Sequence, residues 1–274
     1  MHECLFYRLH TVDCASAICF EVKKSAQKIR ADQLLVERGL VPSRERAQAL
    51  LIAGKVLVAE QKIVKPGTAV ESTAEIRLLG EDLKYVSRGG VKLERALEHW
   101  NIDVRGKTCM DVGASTGGFT DCLLQHGATR VIAVDTGHGQ IAMKLRQDPR
   151  VRLLEKTNAR YLSREQLGED IDLIVMDVSF ISATLVLPAV VAAAFPNENE
   201  PASREIIVLV KPQFEAGREK VGKGGIVTDP EAQQAAVERV RAAILELGAH
   251  SLDVIESPLL GAVGNREFLL SAKF

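Results

Sequence analysis

The chain lacks any apolar run long enough to cross a membrane as a helix. Its longest, Leu185 to Phe195, is about half of the ~20 residues that a spanning helix needs. It also lacks the uninterrupted apolar segment of a signal peptide. Glu3, Arg8, His10 and Asp13 break up the opening stretch, although Ala15-Ser16-Ala17 resembles a cleavage site. With no clear periodicity, residues 1–27 are expected to form a disordered extension. Cysteine is sparse. The five residues are odd in number and include no C-x-x-C spacing, which argues against a disulfide framework or a zinc ribbon, so no metal site is expected. Cys4, Cys14 and Cys19 crowd the beginning and the other two fall on predicted core elements, as suits reduced thiols in a cytoplasmic protein. Net charge is nearly absent too, at −1, so any affinity for nucleic acid must come from local patches.

What is present is the composition of an ordinary globular protein, 46% apolar with mean hydropathy near zero. At 274 residues the chain can hold one full α/β domain and a small companion. The stretch Asp111-Val112-Gly113-Ala114-Ser115-Thr116-Gly117-Gly118-Phe119-Thr120 organises the larger of these. An apolar run leads into it and a helical pattern through Cys122, Leu123 and Leu124 leaves it, which is the strand, glycine turn and helix that open a nucleotide-binding α/β sheet. Gly113, Gly117 and Gly118 allow close backbone approach to a ligand, and the helix start offers free N–H groups. The spacing G-x-x-x-G-G is not the G-x-G-x-x-G of dinucleotide enzymes, which disfavours a nicotinamide oxidoreductase. Asp111 would face a cation or a ligand amine, as in S-adenosylmethionine (SAM) methyltransferases. Asp135 closes the next apolar strand, Val131 to Val134, where a carboxylate can accept both hydroxyls of a ribose.

Ahead of this domain the pattern changes. Ile29, Leu34, Leu35 and Val36 suit a short helix stopped by Gly39, and Ser43 is a plausible cap for a second helix over residues 44–53. Lys55 to Val58 and Lys62 to Val64 read as short strands, with Pro66-Gly67 as a turn. Between Lys28 and Lys65 there are eight Lys/Arg against four Asp/Glu, the excess falling on Arg44, Arg46 and Lys55. Such a basic stripe suits the phosphates of folded RNA. The segments Ile29-Arg30-Ala31-Asp32-Gln33-Leu34-Leu35, Ser43-Arg44-Glu45-Arg46-Ala47 and Leu51-Ile52-Ala53-Gly54-Lys55-Val56 resemble the S4 RNA-binding domain. That resemblance implies an RNA-binding module over residues 28–80, with Arg30, Arg44, Arg46 and Lys55 as contacts, joined by a polar linker at 81–87 to a domain spanning 88–274.

In that domain Arg88-Gly89-Gly90 starts a helix with the apolar face Leu93, Ala96, Leu97 and Trp100. Lys92 lies away from this face, where a lysine is usually a solvated charge, and Arg88 would face RNA. A helix is expected from about Gln140, then a third strand at Val151 to Leu154. After it Asn158 can hydrogen-bond an adenine edge or serve as a turn residue. Asp172 to Asp177 reads as a buried strand delivering Asp177 to the carboxyl edge of the sheet, where ligands of open α/β sheets bind. The following Val178-Ser179-Phe180 has neither the paired prolines of amino-group methyltransferases nor the cysteine that carbon methylation of pyrimidines requires, which points to an oxygen acceptor. Lys211 ends the fifth strand, Ile206 to Val210, and the glycine-rich loop to Thr228 would form a mobile basic lip through Arg218, Lys220 and Lys223. A helix follows, capped by Asp229 with Pro230 at its first position, and Glu267 precedes the final strand. This topology can bring Lys92, Asp177, Lys211 and Glu267 to one mouth. A ribose 2′-hydroxyl must lose its proton as it attacks a methyl group, and a lysine held by carboxylates can orient or deprotonate it.

Residues 86–274 resemble the TlyA family, a branch of the FtsJ-like ribose methyltransferases. The carrying stretches are Val86 to Leu93, Asp111 to Thr120, Thr157 to Arg160, Asp177 to Ser182, Val210 to Glu215 and Gly264 to Glu267. The resemblance implies a Rossmann-like sheet with SAM as methyl donor. It implies a catalytic tetrad on Lys92, Asp177, Lys211 and Glu267, and a cofactor site that includes Asp111, Gly113, Ser115, Thr116, Gly117, Gly118, Phe119, Asp135 and Asn158. The implied reaction is 2′-O-methylation of cytidine in ribosomal RNA or ribosomal subunits, with no membrane partner. Two alternatives stand beside it: a non-catalytic RNA-binding assembly factor, and a membrane-acting haemolysin, the label some family members carry.

Overall fold

The computed structural model describes residues 27–41, 43–79, 84–195 and 204–274. The extension at 1–26, with Cys4, Cys14 and Cys19, and residues 81–83 of the expected linker lie outside the described residues. The chain divides into two compact units, meeting in sequence at residues 82 and 83.

The first unit comprises β1 (Lys28–Arg30), α1 (Ala31–Glu37), α2 (Arg44–Ile52), β2 (Val56–Val58), β3 (Gln61–Lys62), β4 (Ala69–Glu71) and β5 (Ile76–Leu78). β1 pairs antiparallel with β4, and β2 lies between β3 and β5. Ile29 therefore belongs to a strand and not to the expected helix, because residues 28–30 find an edge to pair with at Ala69 to Glu71. Ser43 caps α2 as expected, accepting from the Arg46 backbone N–H at 3.3 Å. Leu34, Leu35, Ala47, Leu50, Leu51 and Val56 form the unit's own small core.

At the edge of that core sits Asp32, fully buried. Its carboxylate accepts from Arg30 Nε and Nη2 at 2.9 Å each, and from Arg44 Nε and Gln48 Nε2 at 3.0 Å each. The hydrogen bond from Arg30 is the largest cause holding this carboxyl far below its ordinary range, against the opposing effect of burial. Two of the arginines expected to meet RNA are thus held by their guanidinium groups while their side chains stay about half exposed, 48% and 52%. Lys55 is exposed.

The second unit adds α3 (Gly89–His99), β6 (Thr108–Val112), α4 (Gly118–Gln125), β7 (Arg130–Val134), α5 (Met143–Arg146), β8 (Val151–Leu154), α6 (Arg164–Leu167), β9 (Leu173–Met176), α7 (Leu187–Ala194), β10 (Glu205–Val210), α8 (Pro212–Glu215), α9 (Pro230–Glu246), β11 (Ser251–Glu256) and β12 (Phe268–Lys273). Its seven-stranded sheet has the order β11-β12-β10-β9-β6-β7-β8, and only β12 runs against the rest. The central strands are apolar on both faces, as a sheet covered on both sides requires. Met110, Ile132 and Ile174 pack on the side of α7 and α9, whereas Cys109, Val131 and Leu173 pack with Leu93 of α3 and Leu123 of α4. The buried thiols Cys109 and Cys122 are free, and burial pushes both up to about 12. Chain order reverses at β6, which has β9 on one side and β7 on the other, so a crevice opens beyond the carboxyl ends of β6 and β9.

Three segments differ from expectation. The helix expected from Gln140 is a single turn beginning at Met143. Tyr85, placed by sequence in a polar linker, is 2% exposed and packs in the core beside Leu93. The expected open lip from Gln213 to Thr228 begins as α8 and is fastened at its far end, where Asn265 accepts from Val227 N at 2.9 Å and Gln233 donates to Val227 O at 2.7 Å.

Asp32→Ala would remove the anchor of four side-chain hydrogen bonds. Allowing for the exposure of its arginine partners, the expected loss is about 1–2 kcal/mol. Hydrogen exchange should show α1 and α2 losing protection while amides of residues 84–274 keep theirs. Unchanged protection in α1 would show that Asp32 does not hold the module together.

Candidate active site

The crevice is built around the turn between β6 and α4. Gly113 has φ +85°, and a Cβ there would sit 2.5 Å from the backbone oxygen of Asp177, so β9 can close on β6 only over a glycine. Gly118 begins α4 against the start of α3, where a Cβ would lie 3.1 Å from Gly90 N. Between them Ser115 adopts φ +48°, and its N–H donates to Asp135 Oδ2 at 2.7 Å. Asp135 Oδ1 accepts from Gly137 N at 2.6 Å. Asp135 therefore shapes two backbone turns at the edge of the crevice.

Asp111 lines the crevice from beneath the turn. It is fully buried, and its Oδ2 accepts from Thr120 N at 2.9 Å and Thr120 Oγ1 at 2.6 Å, tying the strand to the first turn of α4. Its Oδ1 has no partner and belongs to the lining of the crevice. Burial, opposed by the Thr120 hydroxyl and reinforced by Asp177, raises this carboxyl to about 7.

Four charged side chains arrive from four different elements. Lys92, on the first turns of α3, is buried and reaches Glu267 Oε2 at 2.5 Å, across 175 positions of sequence. It is not the solvated charge that its helical position suggests, because the strand start at Glu267 covers it. Lys211, at the end of β10, contacts Asp177 Oδ1 at 2.5 Å and donates a hydrogen bond to Ser179 Oγ at 2.7 Å. The approach to Asp177 is an ion contact without hydrogen-bond alignment, since Oδ1 counts no hydrogen-bonding partner. Both pairs line one cavity of about 330 Å³, together with Arg88, Asp111, Gly113, Ser115, Thr116, Gly118 and Phe119. An adjoining cavity of about 490 Å³ shares Gly113, Ser115, Asp177 and Ser179 and extends to Asp135, Asn158 and Phe180.

Not every expected residue reaches these cavities. Gly117 turns the chain behind them at φ +93°, against Leu145 and Ile141. Asn158 lines the second cavity, but its Oδ1 accepts from Arg160 N at 3.1 Å, the turn role. Arg218, Lys220 and Lys223 are exposed but outside either lining. Ser179 and Phe180 were not singled out from sequence as site residues. Phe180 is 93% exposed with φ +64°, a conformation that a bulky residue seldom adopts. Their position directly after the strand-end Asp177 was the available signal.

The profile of the FtsJ-like methyltransferase family matches residues 85–274, and that of the S4 domain matches residues 29–76. The protein named 16S/23S rRNA (cytidine-2'-O)-methyltransferase TlyA from Mycobacterium tuberculosis is 48% identical over 246 residues, or 89% of this chain and 90% of that one. Hemolysin A of Brachyspira hyodysenteriae is 40% identical over 242 residues, 88% of this chain and 98% of its own. A solved structure from Streptococcus thermophilus, described as a hemolysin, has a TM-score of 0.67 at 42% identity and covers 90% of this chain and 88% of that one.

The raised carboxyl of Asp111 has a measurable consequence. In the unfolded chain an aspartate ionises near about 4, whereas the folded group does so at about 7. Between these values the folded state binds more protons, so this group's contribution to stability falls as pH rises and levels off above the upper value. Asp111→Asn should flatten that decline in urea midpoints measured from about pH 4 to pH 8. An unchanged slope in the variant would mean that Asp111 ionises normally.

Proposed function

Because this chain belongs to the FtsJ-like methyltransferase family, we propose that it transfers the methyl group of SAM to the 2′-hydroxyl of cytidine in ribosomal RNA. The observation that carries this reading is the convergence of Lys92–Glu267 and Lys211–Asp177–Ser179 on the cavity formed by the glycine turn. The donor set fits SAM. Gly113 and Gly118 let β9 and the start of α3 close in on the turn that bounds the cavity, Asp111 offers an orphaned buried oxygen, and each Asp135 oxygen has capacity for a further hydrogen bond from a ribose hydroxyl. SAM supplies an electrophilic methyl group on a sulfonium.

The chain's own residues then orient an acceptor and manage its proton. Lys211 faces the attacking hydroxyl, with Asp177 and Ser179 fixing its Nζ, and as an amine it takes the proton that the oxygen sheds on gaining the methyl group. Lys92, held by Glu267, supplies a second cationic wall that steadies the developing negative oxygen. Phe180, exposed beside Asp177, offers a face on which the acceptor base can stack. The S4 domain supplies RNA affinity through Arg30, Arg44, Arg46 and Lys55, two of them preset by Asp32. The S4 domain and the rRNA methyltransferase relatives support a reading in which the protein acts on ribosomal RNA or ribosomal subunits in the cytoplasm. The haemolysin label that two of these relatives carry finds no support in the helices: among the described residues none is long and apolar enough to cross a membrane.

Lys211→Ala should lower methyl transfer into ribosomal RNA by about 10²-fold or more, with SAM affinity unchanged by calorimetry. The tritiated product of the wild type should resist alkaline cleavage on the 3′ side of the modified nucleoside. Alkali-sensitive product would assign the methyl to a base, and full activity in the variant would remove Lys211 from the mechanism. Asp135→Ala should weaken SAM binding by at least roughly tenfold, since hydrogen bonds to a charged group contribute about 1.5–3 kcal/mol. Equal affinity in calorimetry would refute its role in holding the ribose.

A further inference from the structure

We propose that Glu215 is a positioning residue for methyl transfer, tying the loop after β9 to the helix after β10 and so holding Phe180 and Asp177 beside Lys211. The assignment rests on the reading of the cleft as a ribose methylation site.

Glu215 lies four residues beyond Lys211, on α8, and is 2% exposed. Its Oε2 accepts from Ser182 Oγ at 2.5 Å and its Oε1 from Ala183 N at 2.7 Å. The Ser182 hydroxyl in turn accepts from Thr184 N at 3.2 Å and lies 2.7 Å from Thr184 Oγ1. On the near side of the same loop, Lys211 donates to Ser179 Oγ. Residues 211 and 215 therefore fasten the loop at 179 and at 182–183, and Phe180 lies between the two ties. Phe214, next to Glu215, adds a ring contact to Phe180 at 5.5 Å between centroids.

The loop needs such fastening. A phenylalanine at φ +64° is held against its backbone preference, because a left-handed conformation brings Cβ close to the following carbonyl oxygen. A ring that is 93% exposed gains little from burial in return. Released, the loop would relax toward ordinary dihedral angles, carrying Phe180 away from the cavity and loosening Asp177 three residues before it. Burying a carboxylate is itself unfavourable, and here burial raises the Glu215 carboxyl above its usual range.

The test is steady-state methyl transfer to ribosomal RNA by the full chain, with SAM affinity measured separately. Glu215→Ala should lower kcat by about 10²-fold, the penalty of misplacing a reacting group by roughly an ångström, while SAM affinity stays unchanged. Glu215→Gln should recover most of kcat, because the amide oxygen can accept from Ala183 N while its NH2 donates to the Ser182 hydroxyl. Ser182→Ala, which retains the Ala183 tie, should show a smaller loss in the same direction. In the Phe180→Ala background, Glu215→Ala and Ser182→Ala should each cost less than they do alone, the remainder acting through Asp177. Wild-type kcat in Glu215→Ala would overturn the proposal. Losses that add fully to that of Phe180→Ala would overturn it too, as would a fall in SAM affinity that Gln does not rescue. If wild-type enzyme yields no alkali-resistant product, the ribose reading itself fails, and the assignment falls with it.

Discussion

The pairing of β6 with β9 is the contact on which the functional half of the molecule depends. Asp177 N–H donates to Val112 O at 2.9 Å, which sets the backbone oxygen of Asp177 over Gly113. Any side chain at that glycine would push the two strand ends apart. With the strands closed, the turn after β6 and the loop after β9 face each other, and every further element of the cleft is attached to one or the other. Asp111 and Thr120 bind the turn to α4, Asp135 binds it to β7, and Lys211 and Glu215 bind the opposite loop to the β10 end.

The cleft also concentrates charge that a stable core would exclude. Lys92, Glu267, Asp111 and Glu215 are all buried, and burying each ion opposes folding by several kcal/mol before its partner compensates. Lys92 and Glu267 compensate one another, whereas Asp111 keeps an orphaned oxygen and its carboxyl moves up to about 7. Such groups are tolerated where they are positioned in advance for a ligand, because no reorganisation is then needed during the reaction. The seven-stranded sheet, apolar on both faces, supplies the stability that offsets them.

The small N-terminal unit uses charge differently. Its basic residues stand at the surface, but Asp32 anchors Arg30 and Arg44 from below, so their guanidinium groups are partly ordered before any polyanion arrives. Ordering long side chains in advance reduces the entropy lost on binding. A count of basic residues could not distinguish this arrangement from a solvated face, because the distinguishing residue is an acid.

Local pattern in the amino-acid sequence determined the strand, glycine turn and helix around Asp111 to Thr120, the cap at Ser43, the Asp229-Pro230 helix start and the alternation of strands with helices. These features arise from interactions between residues close in the chain, so residue type and spacing carry them. The same reading marked Asp177, Lys211 and Glu267, because a charge at the end of an apolar strand must emerge at the edge of the sheet. Ile29 was misassigned because its strand exists only through its partner Val70. From its helix alone Lys92 read as a solvated charge, because helical periodicity cannot register a carboxylate 175 positions away, and it entered the site only through the grouping with Asp177, Lys211 and Glu267. Glu215 and Asp32 lay beyond any local pattern, since their roles are set by which loop packs against which. Tertiary structure alone decided those contacts, because burial and ion pairing depend on proximity in space, and topology produces that proximity between segments whose spacing in sequence carries no trace of it.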